Sequence, residues 1–339
     1  MWRANLDNNM QRMEQLSTWL DGLYPGAVGA IVPASEDAGF RRYFRVPINE
    51  ASRIIMDAPP DREDCQPFLH VAGLFRAAGV HVPEVYAQDP AQGFLLLSDL
   101  GPTTYLDALS ADNADQLYQD AIDTLIRVQL ASREGVLPDY SRELLTREVR
   151  LFPDWYLARH CAAVLTPELG ADMERVFERI VEHNLRQPRV FVHRDYMPRN
   201  LMVSEPNPGL LDFQDAVYGP ITYDVLSLFK DAFLSWEEER ILDWVIRYWE
   251  KARRAGLPVN TDFAAFYRDF EWMGVQRHLK VLGIFARLNY RDGKPRYLAD
   301  TPRFVAYVRQ TAVRYKELAP LLRVFDALEG NAQSVGYTF

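Results

Sequence analysis

The stretch Phe191-Val192-His193-Arg194-Asp195-Tyr196-Met197-Pro198-Arg199-Asn200-Leu201-Met202-Val203, continued by Leu210-Leu211-Asp212-Phe213, decides how the rest of the chain is read. Apolar, strand-like residues flank a polar loop. Pro206-Asn207-Pro208-Gly209 supply a turn, and the returning strand ends on an aspartate. A hairpin of this kind gathers Asp195, Asn200 and Asp212 near one point. Their chemistry suits phosphoryl transfer. One carboxylate orients and deprotonates an attacking hydroxyl, while an amide oxygen and a second carboxylate hold Mg²⁺ on nucleotide phosphates. His193 taken alone reads as a packing histidine; the ordered set of polar residues carries the chemistry.

Working outward, the chain has 339 residues, with 38 Lys+Arg against 47 Asp+Glu and a formal net charge of −9. A hydrophobic fraction of 48% and a charged fraction of 25% describe a folded chain with enough apolar surface for two domains or two lobes. The first lysine is Lys230, and only Lys251, Lys280, Lys294 and Lys316 follow. Schiff-base chemistry and a Walker A phosphate loop are thereby excluded from the first two thirds of the chain. The acidic balance argues against a nucleic-acid surface. Cys65 and Cys161 have no Cys or His neighbour at metal-ligand spacing, so both read as small apolar residues of a reduced, cytoplasmic chain. No apolar run approaches a membrane span, and the polar start does not resemble a signal peptide. A cytoplasmic protein with no membrane, nucleic-acid or obligate protein partner is expected.

Helical periodicity over residues 8–21 places Met10, Met13, Leu16 and Leu20 on one face. Strand-like runs follow at 28–32, 42–46 and 53–56. A helix is expected over 64–79, with Phe68, Val71, Ala72 and Phe75 inward, and then two short strands at 82–86 and 94–98. Gly101-Pro102 marks a boundary. Beyond it helices are expected at 115–131, 142–160, 167–185, 224–233, 237–255, 262–288 and 304–318, with possible breaks at Gly274 and Gly283. The stretch 190–213 is the one β island. This order predicts a bilobal α+β enzyme, a β-rich lobe over residues 1–100 and a helical lobe over 101–339, with a cleft between them.

The pattern His193-Arg194-Asp195, then Asn200, then Asp212-Phe213 resembles the aminoglycoside phosphotransferase and choline kinase superfamily, of protein-kinase-like fold. Met197 where protein kinases usually carry lysine, Gln214 after Asp212-Phe213 instead of glycine, and the lack of an Ala-Pro-Glu segment set the chain apart from protein kinases. The resemblance therefore implies a small-molecule acceptor, with ATP and Mg²⁺. Longer runs narrow it: residues 39–45, 56–60, 94–101, 193–200, 211–216, 219–233, 273–287 and 292–300. Together these resemble a subgroup, the bacterial anomeric N-acetylmuramate/N-acetylglucosamine kinases. That resemblance implies transfer to the C1 hydroxyl of an amino sugar, for peptidoglycan recycling. Another small-molecule kinase of the same fold, or a nucleotide-binding pseudokinase scaffold, stands as the alternative.

Within this frame Asp195 is the expected base, and Asn200 and Asp212 the metal ligands. Ser35, Gly39, Arg41, Arg42 and Arg45 occupy the place of a phosphate-binding loop. At least one of the three arginines is expected to contact phosphate; the alternative is that two of them point to solvent, because strand neighbours face opposite sides. The kinase lysine expected near Met56 is missing, and one of these arginines is expected to replace it. Glu63, ahead of the following helix, has no assigned role. Leu97 and Asp99 fall on the hinge strand expected to receive adenine. Candidates for the sugar side are Glu148, Trp155, Asp215, Arg277, His278 and Tyr297. The alternative readings are core packing for Trp155, a structural ion pair for Glu148 or Arg277, and a buried packing role for His278.

Overall fold

The computed structural model describes residues 2–35 and 40–335, with side chains over 10–34 and 40–330. Gly39 and the side chain of Ser35 lie outside the described residues. In chain order the elements are α1 (Trp2–Leu23), β1 (Val32–Ser35), β2 (Arg42–Ile48), β3 (Ala51–Asp57), α2 (Gln66–Ala77), β4 (Val85–Asp89), β5 (Phe94–Ser98), α3 (Tyr105–Ala108), α4 (Ala114–Leu130), α5 (Arg142–Val149) and a π-helical segment (Phe152–His160). There follow α6 (Pro167–Leu185), β6 (Arg189–Val192), a 3₁₀ turn (Pro198–Asn200), β7 (Leu201–Met202), β8 (Gly209–Leu210), β9 (Val217–Pro220), α7 (Thr222–Phe229), α8 (Glu238–Arg254), α9 (Phe263–Tyr290), a 3₁₀ turn (Pro295–Asp300), α10 (Thr301–Arg314) and α11 (Ala319–Val335).

The chain forms two compact units. One comprises Met1–Thr104 and Leu201–Asp215, the other Tyr105–Asn200 and Ala216–Phe339. The division thus falls after Thr104, and the second limb of the sequence-expected hairpin, residues 201–215, belongs with the β-rich unit.

In the first unit β1-β2-β3-β5-β4 make an antiparallel sheet. Asn49 and Glu50, both at positive φ (48° and 67°), turn β2 into β3, as a two-residue hairpin whose twist matches its strands requires. Period-two alternation sorts the side chains of β2. Phe44, Val46 and Ile48 pack with Ile55, Phe94, Leu96 and the α1 residues Leu16 and Leu20. Tyr43 and Arg45 therefore project from the other face of the sheet, the face of Ile54 and Met56, and Arg41 immediately precedes β2. The strand expected at 28–32 is displaced. Val28 only bridges Ile48, and continuous pairing starts at Val32.

The second unit is mostly helical. The helix expected over 142–160 is divided: α5 ends at Val149, and the π-helical turns follow around Pro153, which has no N–H for the carbonyl four residues back. In contrast, α9 runs 28 residues without a break. Its two glycines permit close packing. A Cβ at Gly283 would lie 2.3 Å from the carbonyl carbon and oxygen of Leu151, and one at Gly274 would lie 3.1 Å from Leu226. The expected hairpin is two short ladders. β6 pairs with β9, Val190 opposite Gly219, while β7 pairs with β8, Leu201 opposite Leu210. The architecture is α+β, a sheet-based unit and a helical unit.

Candidate active site

The loop after β6 is held mainly by its backbone. Asp224 of α7 is fully buried and accepts the N–H of His193 at 2.6 Å and that of Arg194 at 3.0 Å. The N–H of Asp195 donates to His193 Nδ1 at 3.2 Å. His193 is itself buried and lies edge-on to Tyr196, 5.8 Å between ring centroids, so it packs and supports the loop. Arg194 takes a left-handed backbone (φ 76°), unfavourable for a residue with a Cβ, and the half-buried Asp195 follows it. Asn200, on the 3₁₀ turn, donates its amide N–H to the backbone oxygen of Asp195 at 2.9 Å.

Asp212, in the other unit, also has a left-handed backbone (φ 60°), and it accepts the Gln214 amide at 2.8 Å. The next residue, Phe213, is buried against Phe68 and Phe75 of α2, with ring centroids 4.8 and 5.8 Å away. Asn200 and Asp212 each offer the hard oxygen ligand that Mg²⁺ takes beside phosphate oxygens. Among the described residues no group of three or more His, Cys, Asp or Glu side chains could by itself hold a metal ion.

The structure separates the three arginines. Arg42 shares the α1 face with Phe44. Its Nε donates to Asp57 Oδ2 at 3.0 Å, and Asp57, wholly buried, also pairs with Arg12 of α1. Arg45 grips Asp99 with two bonds of 2.6 and 3.0 Å, so these two expected nucleotide residues bind each other. Burial opposes the pKa of Asp99, but Arg45, Ser52 and the Gly101 N–H together hold it below the usual carboxylate range. Arg41 has a different setting. Burial works against its charge, but Tyr43, Asp212, Glu63 and Asp215 outweigh it and raise its pKa. Its Nε is buried without a hydrogen-bond partner among the described residues. Leu97 is a core residue of β5, paired with Ile54.

The sugar-side candidates scatter within their own units. Asp215 is exposed beside Arg41 in the first unit. In the second, Trp155 and Tyr297 pack in the helical core, where Arg296 donates to the Tyr297 hydroxyl at 3.1 Å. His278 is buried and stacked on Tyr307, 4.9 Å between centroids; burial first, then Lys230 and Arg277, keep it neutral. Arg277 is buried near Asp224 and Asp231, with Nε and Nη1 unpartnered among the described residues. Glu148 sits in a buried ionic cluster with Arg194, Lys280 and Tyr140. Sequence reasoning missed Arg194, Asp224 and Lys280 as parts of the site. Lys280 had one available signal, a lysine on a strongly apolar helix of a lysine-poor chain.

Residues 30–259 match the phosphotransferase enzyme family. A Pseudomonas aeruginosa protein named N-acetylmuramate/N-acetylglucosamine kinase is 54% identical over 333 residues, 95% of this chain and 98% of that protein. A Neisseria meningitidis protein of the same name is 49% identical over 336 residues, 97% of this chain and all of that protein. Among solved structures, the choline kinase LicA from Streptococcus pneumoniae has a TM-score of 0.64 at 12% identity, covering 89% of this chain and 99% of its own. ADP-bound aminoglycoside phosphotransferase APH(2'')-Ib has a TM-score of 0.57 at 14% identity, covering 86% and 96%. The loop that carries Asp195 and Asn200 is thus set in the fold those enzymes share, and by sequence the chain belongs to the phosphotransferase enzyme family.

Proposed function

We propose that this chain transfers the γ-phosphoryl group of ATP to the anomeric (C1) hydroxyl of N-acetylmuramate and N-acetylglucosamine, giving sugar 1-phosphates for peptidoglycan recycling. The observation that carries the reading is the identity of 49–54% over nearly the whole chain to three proteins named as kinases of these two sugars. The reading assigns Asp195 to accept the proton of the anomeric hydroxyl. That hydroxyl is more acidic than an ordinary sugar alcohol, so a carboxylate suffices late in a loose transition state. Asn200 and Asp212 would hold Mg²⁺, which neutralises charge on the transferring phosphate.

Arg41 takes the place of the missing kinase lysine. It immediately precedes β2, and Tyr43, Asp212, Glu63 and Asp215 all lie within its electrostatic reach. Arg42 and Arg45 are engaged by Asp57 and Asp99. Glu63 gains a role here as a counter-charge to Arg41.

The test incubates the protein with Mg²⁺-ATP and each sugar and locates the product phosphate by ³¹P NMR. A 1-phosphate is expected. A 6-phosphate refutes the regiochemistry, and turnover of choline or an aminoglycoside with neither sugar refutes the acceptor. Asp195→Ala should abolish nearly all activity while nucleotide still binds; full activity would overturn the assignment of the base.

A further inference from the structure

Glu148 of α5 is 4% exposed and carries three partners at once. Its Oε1 accepts from Arg194 Nη2 at 2.6 Å and from Lys280 Nζ at 2.9 Å, and its Oε2 accepts the hydroxyl of Tyr140. Lys280 also donates to the Tyr223 hydroxyl at 3.0 Å. The cluster joins α5, α7, α9 and the segment before α5 to the residue immediately ahead of the catalytic carboxylate. A left-handed backbone at a residue with a Cβ is strained and persists only where its surroundings over-determine it. Asp224 secures the backbone of Arg194, and Glu148 secures its side chain.

We propose that Lys280 is a positioning residue for phosphoryl transfer: it holds Glu148 as the anionic strut that fixes Arg194, and through Arg194 the placement of Asp195. A carboxylate this deeply buried is costly unless it is paired, and without Lys280 it would keep Arg194 as its one cation, which favours its ionised form less and weakens its grip on Arg194. Lys280 is the strongest of the groups that offset that desolvation, ahead of Arg194 and Tyr140. The other titratable groups facing the cluster are Tyr223 from α7 and Asp195 itself. Nothing in this role requires Lys280 to touch substrate. The inference rests on Asp195 being the base of the proposed reaction.

Lys280→Met keeps the length of the side chain and removes its charge. In the intact protein kcat should fall about tenfold or more, with KM for ATP and for sugar within about twofold, because the loss lies in placing the base rather than in binding. Lys280→Arg should restore most of that loss. Arg194→Met combined with Lys280→Met should cost little more than either alone, since both act on one strut. A folded Lys280→Met protein with full kcat, a loss confined to KM, or additive losses in the double variant would each overturn the proposal. Should Lys280→Met not fold, Glu148→Gln carries the test, with the same loss of kcat at unchanged KM expected and full kcat overturning it. Wild-type protein is assayed first. If it phosphorylates neither sugar, the reading of the acceptor fails by itself, and basal Mg²⁺-ATP hydrolysis becomes the readout for the strut.

Discussion

Asp224→Asn sets two effects of one buried carboxylate against each other. In the folded protein burial pushes Asp224 up to about 7; the charge of Asp195 adds to this, while the N–H groups of His193 and Arg194 and the charge of Arg277 oppose it. In the unfolded chain the group returns to about 3.9. The folded state therefore holds this proton more tightly, and raising the pH through that window lowers stability. The full shift of about 3 units corresponds to about 4 kcal/mol, of which about 2–3 kcal/mol is lost between about pH 5 and about pH 8. Asparagine keeps the shape and has no such dependence. It also offers one oxygen to two buried N–H groups, leaving one without its acceptor at a cost of about 1–3 kcal/mol. At about pH 5 the variant should equal wild type or be less stable; at about pH 8 the two terms offset, and it should equal or exceed wild type. Urea unfolding of both proteins at both pH values measures this. The difference in stability should move by about 2–3 kcal/mol in favour of Asp224→Asn as the pH rises. Activity should move the other way, with kcat down about tenfold or more, because the left-handed loop at Arg194 loses one of its two backbone anchors. Stability differences that run parallel with pH, or a variant with wild-type kcat, would overturn this role for Asp224.

The separation of the arginines gives a paired expectation. Arg41→Met should raise KM for ATP or lower kcat about tenfold with little change in Tm. Arg42→Met should leave KM for ATP within about twofold but cost about 1–3 kcal/mol in stability, since the wholly buried Asp57 would keep Arg12 alone. Gly283→Ala should destabilise by at least about 1–3 kcal/mol, measured by thermal unfolding, because its Cβ would meet the backbone of Leu151 at 2.3 Å. Gly170→Ala, in the first turns of α6 with nothing within 4 Å of the new Cβ, should instead stabilise by up to about 1 kcal/mol.

Where neighbouring residues alone decide an outcome, it was legible in the sequence. The helix expected over 167–185 forms with those bounds, and in the structure the Thr166 hydroxyl caps it by accepting the N–H of Leu169. The spacing of Asp195 and Asn200 places both on one tight loop, closed by a hydrogen bond between them. Glycine signals misled in α9, because propensity weighs the backbone entropy of Gly274 and Gly283 and not the close approach of Leu151 and Leu226. Glu148 was legible as one member of an ion pair or a sugar contact. Its actual partners, on a loop and a helix far along the chain, were not.

The side chains on offer were legible in the sequence alone. A short loop carries Asp195 and Asn200 close together, and every basic side chain before Lys230, histidine aside, is an arginine. How the arginines at 41, 42 and 45 are partnered depends on the tertiary structure. Residues 41, 42 and 45 lie within a few residues of one another, yet α1 covers one face of the sheet; the alternation of β2 turns Arg42 toward it and Arg45 away, while Arg41, just before β2, lies within electrostatic reach of Asp212, Glu63 and Asp215. Strand registers and buried ion pairs join residues distant in sequence. Each such contact is favourable only after both partners have left water together, so it is a property of the packed chain and not of any local pattern.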